Sequence, residues 1–308
     1  MGPTASGKTD LAVELARRFP FEIVSVDSVM VYRELEVGSA KPDSSVLSEA
    51  PHRLIDIVDP PDIYSAARFR QDAVREIDAI RQSGAIPLLV GGTMLYFQAL
   101  EQGLSDLPAA DPDLREQIAR RAQQAGWLTL HAELAAVDPE SAARIHPNDP
   151  QRLQRALEIY HLTGKTRSQL WARARPAAIM AATKLVLCPS ARSELHDRIE
   201  RRFDIMLDRG LVEEVVGLRS RWPLSLSSPA MRAVGYRQVW EHLEGAFDAP
   251  ELRRRGVVAT RRLAKRQLTW LRAQADAKWL AQQGAALLDR AVLHLTDRGV
   301  LSRHLGKV

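Results

Sequence analysis

The chain is 308 residues long with a mass of 34.3 kDa, enough for one large domain or two ordinary ones. Hydrophobic residues at 45% and charged residues at 26% are a globular composition and exclude a disordered chain, and the single cysteine, Cys188, excludes an internal disulfide and a cysteine-based zinc site. Apolar runs such as 85–90 fall far short of the ~20 residues that span a bilayer, and no basic-then-apolar leader opens the sequence, so a soluble cytoplasmic protein is expected.

The first signal in chain order is Gly2-Pro3-Thr4-Ala5-Ser6-Gly7-Lys8-Thr9, which fits G-x-x-x-x-G-K-[ST] at every fixed position. Its glycines let successive backbone N–H groups curl inward around a phosphate. Lys8 adds a point charge, and the Thr9 hydroxyl can hold Mg²⁺. The helix predicted from Thr9 to Phe19 aims its positive end at the same place. A phosphate loop ordinarily follows a buried strand. Here it begins at residue 2, so the expectation is that the first strand is missing from this chain.

Buried strands are predicted at Phe21–Val26, Leu54–Val58 and Ile86–Val90, with a fourth candidate at Lys184–Cys188. Helical patterns, including Ala66–Ser83, lie between them. The alternation predicts an α/β fold with a parallel sheet covered on both faces and its ligand at the carboxyl ends of the strands. Strand 21–26 ends in Asp27-Ser28, whereas strand 86–90 ends in Gly91-Gly92-Thr93 with no acid. One carboxylate near a phosphate loop suits a diphosphate leaving group better than a hydrolysed triphosphate.

From about Asp106 to Arg175 prolines punctuate helical stretches such as Asp113–Ala125 and Pro150–Thr163, which predicts a helical insertion. The expected organisation is a catalytic core of 1–105 and 184–308 with an inserted helical domain at 106–183. Helix Ser190–Gly210 carries a buried stripe of Leu195, Ile199, Phe203, Met206 and Leu207. Residues 251–272 hold eight basic residues and one acid, so this segment alone exceeds the net charge of +5. Such a segment is either a solvated helical face or the seat of a polyanion partner.

Taken together, GPTASGKT at 2–9, SVDSVMVY at 25–32, GSAKP at 38–42, PHRLIDIVDP at 51–60, LLVGGTMLYFQAL at 88–100, RIHPNDPQRLQRALE at 144–158, MRAVGYRQVW at 231–240 and ATRRLAKRQLTWLR at 259–272 resemble the bacterial tRNA dimethylallyltransferases. The resemblance covers nearly the whole chain in family order and departs from it only in the absent first strand. It implies a P-loop kinase-like core and transfer of a dimethylallyl group from dimethylallyl diphosphate to N6 of the adenine 3′ of the anticodon, with Mg²⁺ as cofactor and a monomeric enzyme.

Carried over by resemblance, Asp27 is the base on the adenine amine, Arg202 contacts the diphosphate and Thr93 lies near the adenine. The tRNA contacts implied are Asp27, Ser28, Val29, Met30, Thr93 and Arg115, then Gln151, Arg152, Leu153, Gln154 and Arg155. They continue with Arg232, Ala233, Val234, Gly235, Tyr236 and Arg237, and end with Lys265, Arg266, Gln267, Leu268, Thr269, Trp270, Leu271 and Arg272. Simpler local readings stay open. Asp27 could cap a helix, Arg202 be an exposed helix residue, Thr93 a turn residue, Tyr236 and Trp270 core aromatics, and Asn148 or Asp149 a helix cap. Other activities also stay open: prenylation of free AMP, ADP or ATP, phosphorylation of a small metabolite, and RNA binding without turnover.

Overall fold

A computed structural model of the chain describes residues 1–103, 107–173 and 182–301. It divides into two compact units, Met1–Leu100 with Met180–Val308, and Glu101–Ile179.

In the first unit, α1 (Lys8–Arg18) starts directly after Gly7 and buries Leu11, Ala12, Val13 and Leu15. Asp10 in its first turn and Arg17 and Arg18 in its last complement the helix dipole. Strand β1 (Phe21–Val26) follows, buried at every position but Glu22. Next come α2 (Ser44–Glu49), β2 (His52–Arg53) and α3 (Ala66–Gln82), the last capped by Ser65 and burying Phe69, Ala73, Ile77 and Ile80. Strand β3 (Ile86–Gly91) leads into α4 (Met94–Gln102). The three strands form a parallel sheet in the order β2-β1-β3, with Phe21 opposite Ile86 and Val26 opposite Gly91.

Two sequence expectations need correction. The apolar run Leu54–Val58 is no strand: β2 stops at Arg53, because Leu54 (φ 64°) and Asp56 (φ 56°) turn the backbone left-handed. The run still docks on the preceding loop, with the Ile57 and Val58 N–H groups both donating to the Val31 carbonyl. Strand β3 is only half-buried from Ile86 to Val90, since it lies at the edge of its sheet among the described residues.

After residue 181 the same unit contains β4 (Leu185–Leu187), α10 (Arg192–Asp208), α11 (Leu211–Arg221), α12 (Tyr236–Leu243), α13 (Ala249–Arg272), β5 (Lys278–Leu280) and α14 (Gly284–Asp297). Strands β4 and β5 form a separate parallel pair, and β5 carried no sequence signal beyond three residues, Lys278-Trp279-Leu280. The residue preceding the phosphate loop is tied to β4. The Met1 ammonium donates to the Leu185 carbonyl at 2.7 Å, and Leu187 N–H donates to the Met1 carbonyl at 2.9 Å.

The second unit is helical throughout its described residues: α5 (Pro112–Ala125), α6 (Trp127–Val137), α7 (Pro139–Arg144), α8 (Pro150–Thr163) and α9 (Arg167–Arg173). Three of these helices start alike. Asp111, Asp138 and Asp149 cap the N–H groups of Leu114, Ser141 and Arg152, each with proline as the first helical residue. Pro112, Pro139 and Pro150 among the punctuating prolines are therefore helix starts, and Asp149 is a cap. Ile118, Leu130, Leu134, Leu153 and Leu157 form the core of this unit. Glu158 is fully buried there. Burial pushes its carboxyl up, but hydrogen bonds from Arg115 and Arg155 outweigh that and hold it low.

Candidate active site

The phosphate loop curls as its sequence predicts. Ala5 (φ 61°) and Gly7 (φ 85°) adopt left-handed backbone, which turns the intervening N–H groups toward one side. Lys8 extends back over the loop, its ammonium 3.5 Å from the Pro3 carbonyl. Burial first, and the like charge of Arg202 second, bring the Lys8 ammonium down to about 8. Arg202 projects from α10 into the same space. No acid forms an ion pair with it among the described residues, and burial depresses its pKa against the pull of Asp27 and Asp10. The Ser6 hydroxyl is buried without a hydrogen-bond partner. Two cations and an unsatisfied donor around inward N–H groups are the chemistry that suits an anion.

Two adjoining cavities share Ala5, Lys8, Thr9 and Arg202. One is a polar cleft of about 770 Å³ that also takes in Arg198, Arg201 and Arg209. The other, of about 120 Å³, is narrower and runs past Thr4, Asp27 and Met30 to Gly235. Its apolar wall is Ile199, Phe203 and Met206 of α10 with Leu263 of α13. The sequence marked the first three as a core stripe, and nothing in their spacing separates a core face from a cavity wall.

Asp27 lies at the carboxyl end of β1. Its Oδ1 accepts from the N–H groups of Val29 and Met30 at 2.8 and 3.2 Å, which fastens a turn and not a helix, since the next helix begins only at Ser44. Oδ2 has no such partner among the described residues and remains available. The Gly-Gly-Thr turn is pressed against this strand end. A Cβ on Gly91 would lie 2.0 Å from the Val26 carbonyl oxygen, so only glycine allows the approach. Thr93 accepts from the Ser28 N–H at 3.0 Å and its own N–H bonds to the Val26 carbonyl, which fixes the turn to Asp27 and Ser28.

The remaining predicted residues divide by exposure. Arg232, Arg237, Lys265, Arg266, Thr269 and Arg272 are exposed in the first unit, and Gln151 and Arg152 in the second. Others are buried or bonded within the protein. Tyr236 is fully buried with its hydroxyl on Glu214, Leu153 and Leu271 are core residues, and Gln267 is 8% exposed. In the second unit Arg115 and Arg155 are spent on Glu158, and Gln154 bonds the Arg115 carbonyl. Trp270, Leu268, Ala233 and Val234 are half-buried. The Lys41 ammonium of the GSAKP segment is enclosed by Asp56, Glu36 and the Tyr32 carbonyl.

The basic segment is less basic than its composition. Arg253 pairs with Asp204 and Glu200, Arg254 and Arg255 with Glu251, and Arg261 with Glu200. Arg262, Lys265, Arg266 and Arg272 have no acidic partner among the described residues, and all four are exposed. The free charge of α13 is thus a stripe of four.

Residues 30–274 match the IPP transferase family. The chain is 57% identical to a tRNA dimethylallyltransferase of Alkalilimnicola ehrlichii over 92% of its own length and 90% of the relative's. It is 56% identical to a tRNA dimethylallyltransferase of Thioalkalivibrio sulfidiphilus, covering 96% and 93% of the two chains. Among solved structures, a tRNA isopentenylpyrophosphate transferase of Bacillus halodurans superposes with a TM-score of 0.69 at 34% identity, covering 98% of this chain and 97% of that one. A eukaryotic dimethylallyltransferase caught acting on tRNA reaches 0.78 at 26% identity, with 97% of this chain and 76% of that one covered. With its phosphate loop, strand-end aspartate and family match over most of its length, the chain belongs to the IPP transferase family.

Proposed function

We propose that the protein transfers a dimethylallyl group from dimethylallyl diphosphate to N6 of the adenine 3′-adjacent to the anticodon in tRNA, releasing diphosphate. The observation that carries this reading is the narrow cavity joining the cationic phosphate loop to the free oxygen of Asp27 along an apolar wall. A diphosphate at Lys8, Arg202 and the loop N–H groups would leave its five-carbon tail beside Phe203, Met206 and Leu263. An adenine would reach that tail from the Asp27–Thr93 end.

The adenine amine is a weak nucleophile because its lone pair is delocalised into the ring. Asp27 Oδ2 accepts the N6 proton as N6 attacks the allylic carbon, the carbon–oxygen bond breaks, and the diphosphate leaves with the bonding electrons. Lys8, Arg202 and the loop N–H groups take up the charge that develops on the leaving oxygen. Thr9 is the one hydroxyl at the loop's helix start, and no cluster of three acidic, histidine or cysteine ligands exists among the described residues. This donor set fits Mg²⁺ held by Thr9 and substrate phosphate oxygens rather than by a protein cage, and there the ion would neutralise diphosphate charge.

Single-turnover transfer of radiolabelled dimethylallyl diphosphate to an anticodon stem-loop, with AMP as a competing acceptor, tests the proposal. Label in the RNA, lost in Asp27→Ala, is the expected result. Label only in AMP would replace tRNA as the substrate, and binding of both substrates without transfer would remove the enzymatic reading.

A further inference from the structure

Gln267 lies on α13 between exposed Arg266 and half-buried Leu268, yet it faces inward and is 8% exposed. Both ends of its amide are engaged across long stretches of sequence. Oε1 accepts the Thr4 N–H of the phosphate loop at 2.9 Å, and Nε2 donates to the Gly92 carbonyl at 2.8 Å. The contact is close enough to dictate its neighbour: a Cβ on Gly92 would stand 2.5 Å from Nε2. Gly92 precedes Thr93, which is bonded to Ser28 beside Asp27. One amide therefore spans the two ends of the reaction cavity, the loop on one side and the strand-end carboxylate with its turn on the other.

We propose that Gln267 is a positioning residue that sets the spacing between the diphosphate-binding loop and the Asp27–Thr93 end of the cavity. The proposal rests on the prenyl-transfer reading, in which the allylic carbon is delivered from the loop and the amine from the Asp27 side. Attack requires the reacting atoms about 3–3.5 Å apart, and a misplacement of about 1 Å costs on the order of a hundredfold in rate. A residue whose amide ties both supports to each other acts on that distance. It also gives α13 two tasks on two sides, free cations outward and the clamp inward.

Gln267→Met keeps the length of the side chain and removes both hydrogen bonds. The expected result is a roughly 10- to 100-fold slower single-turnover transfer at saturating substrates. The affinities for the stem-loop and for dimethylallyl S-thiolodiphosphate should stay within about threefold, since a positioning role acts on the rate of transfer rather than on binding. Gly92→Ala should give the same slowing, and the two changes combined should cost no more than either alone. Backbone hydrogen exchange should rise in Gln267→Met at residues 2–5 and 91–94 together, without a rise across the rest of the sheet. A wild-type transfer rate, a slowing that tracks lost stem-loop affinity, or unchanged exchange at both segments would overturn the proposal. If the wild-type chain itself transfers no label, the prenyl-transfer reading falls, and the exchange pattern still decides whether Gln267 joins the two segments.

Discussion

The Lys8 ammonium makes the anion site sensitive to mildly alkaline pH. Burial and the neighbouring Arg202 charge bring it to about 8, so in the free protein half of it is uncharged near that pH. An anion that binds only the charged form sees its affinity fall by the factor 1 + 10^(pH − 8), about elevenfold at pH 9 and about thirtyfold at pH 9.5. The sign follows from the direction of the shift: the cation is present below about 8 and lost above it, so affinity declines as pH rises. Dimethylallyl S-thiolodiphosphate, fully ionised throughout this range, is a suitable probe in calorimetric titrations. Proton uptake on binding should be about half a proton near pH 8 and approach one proton by about pH 9.5, as the free lysine becomes neutral while the complex stays charged. In Lys8→Met the affinity should be weak and flat with pH, meeting the wild-type curve at its alkaline end. A wild-type affinity that stays level to about pH 9.5 would refute the depressed lysine.

Glu214 accepts the N–H groups of Glu36, Val37 and Gly38 and the Tyr236 hydroxyl, so Glu214→Ala strands four donors and should lower stability by about 2–4 kcal/mol in urea unfolding. Gly256→Ala puts a Cβ 1.9 Å from the Phe203 ring where α13 meets α10, and should cost about 1–3 kcal/mol by the same assay. Replacing Arg262 and Lys265 by alanine should reduce the slope of log stem-loop affinity against log salt by about 1.5–2, while Arg254→Ala with Arg255→Ala, whose charges already pair with Glu251, should leave it nearly unchanged. Equal slopes for the two double variants would show that the internal pairs do not hold in solution.

The phosphate loop and Asp27 could be found from sequence because their chemistry is local: eight consecutive positions shape the loop, and a strand end delivers the acid. Helix α8 was legible to the residue, since an Asp-Pro start and a Gly164 stop bracket it. Leu54–Val58 failed as a strand because its apolar pattern cannot reveal left-handed backbone at Leu54 and Asp56. Gln267, Tyr236 and Leu271 are implied as tRNA contacts by resemblance, as parts of the basic 232–237 and 265–272 segments. Helical geometry sends them to the opposite side, and only packing shows which side is the core. The same limit concealed the pairing of Arg253 and Arg261 with acids about 50 to 60 residues away on α10.

Asp27 holds the backbone of Val29 and Met30 with one oxygen while the other stays open. A carboxylate accepts such bonds strongly because it is an anion, and a neutral acid accepts them more weakly. In the proposed reaction the proton that arrives on Oδ2 therefore weakens the grip of Oδ1 on the 28–30 turn at the moment product forms. Until that proton departs to solvent, the residues flanking the modified base are held less firmly than before the reaction. The hold on the turn is thus tied to the protonation of Asp27.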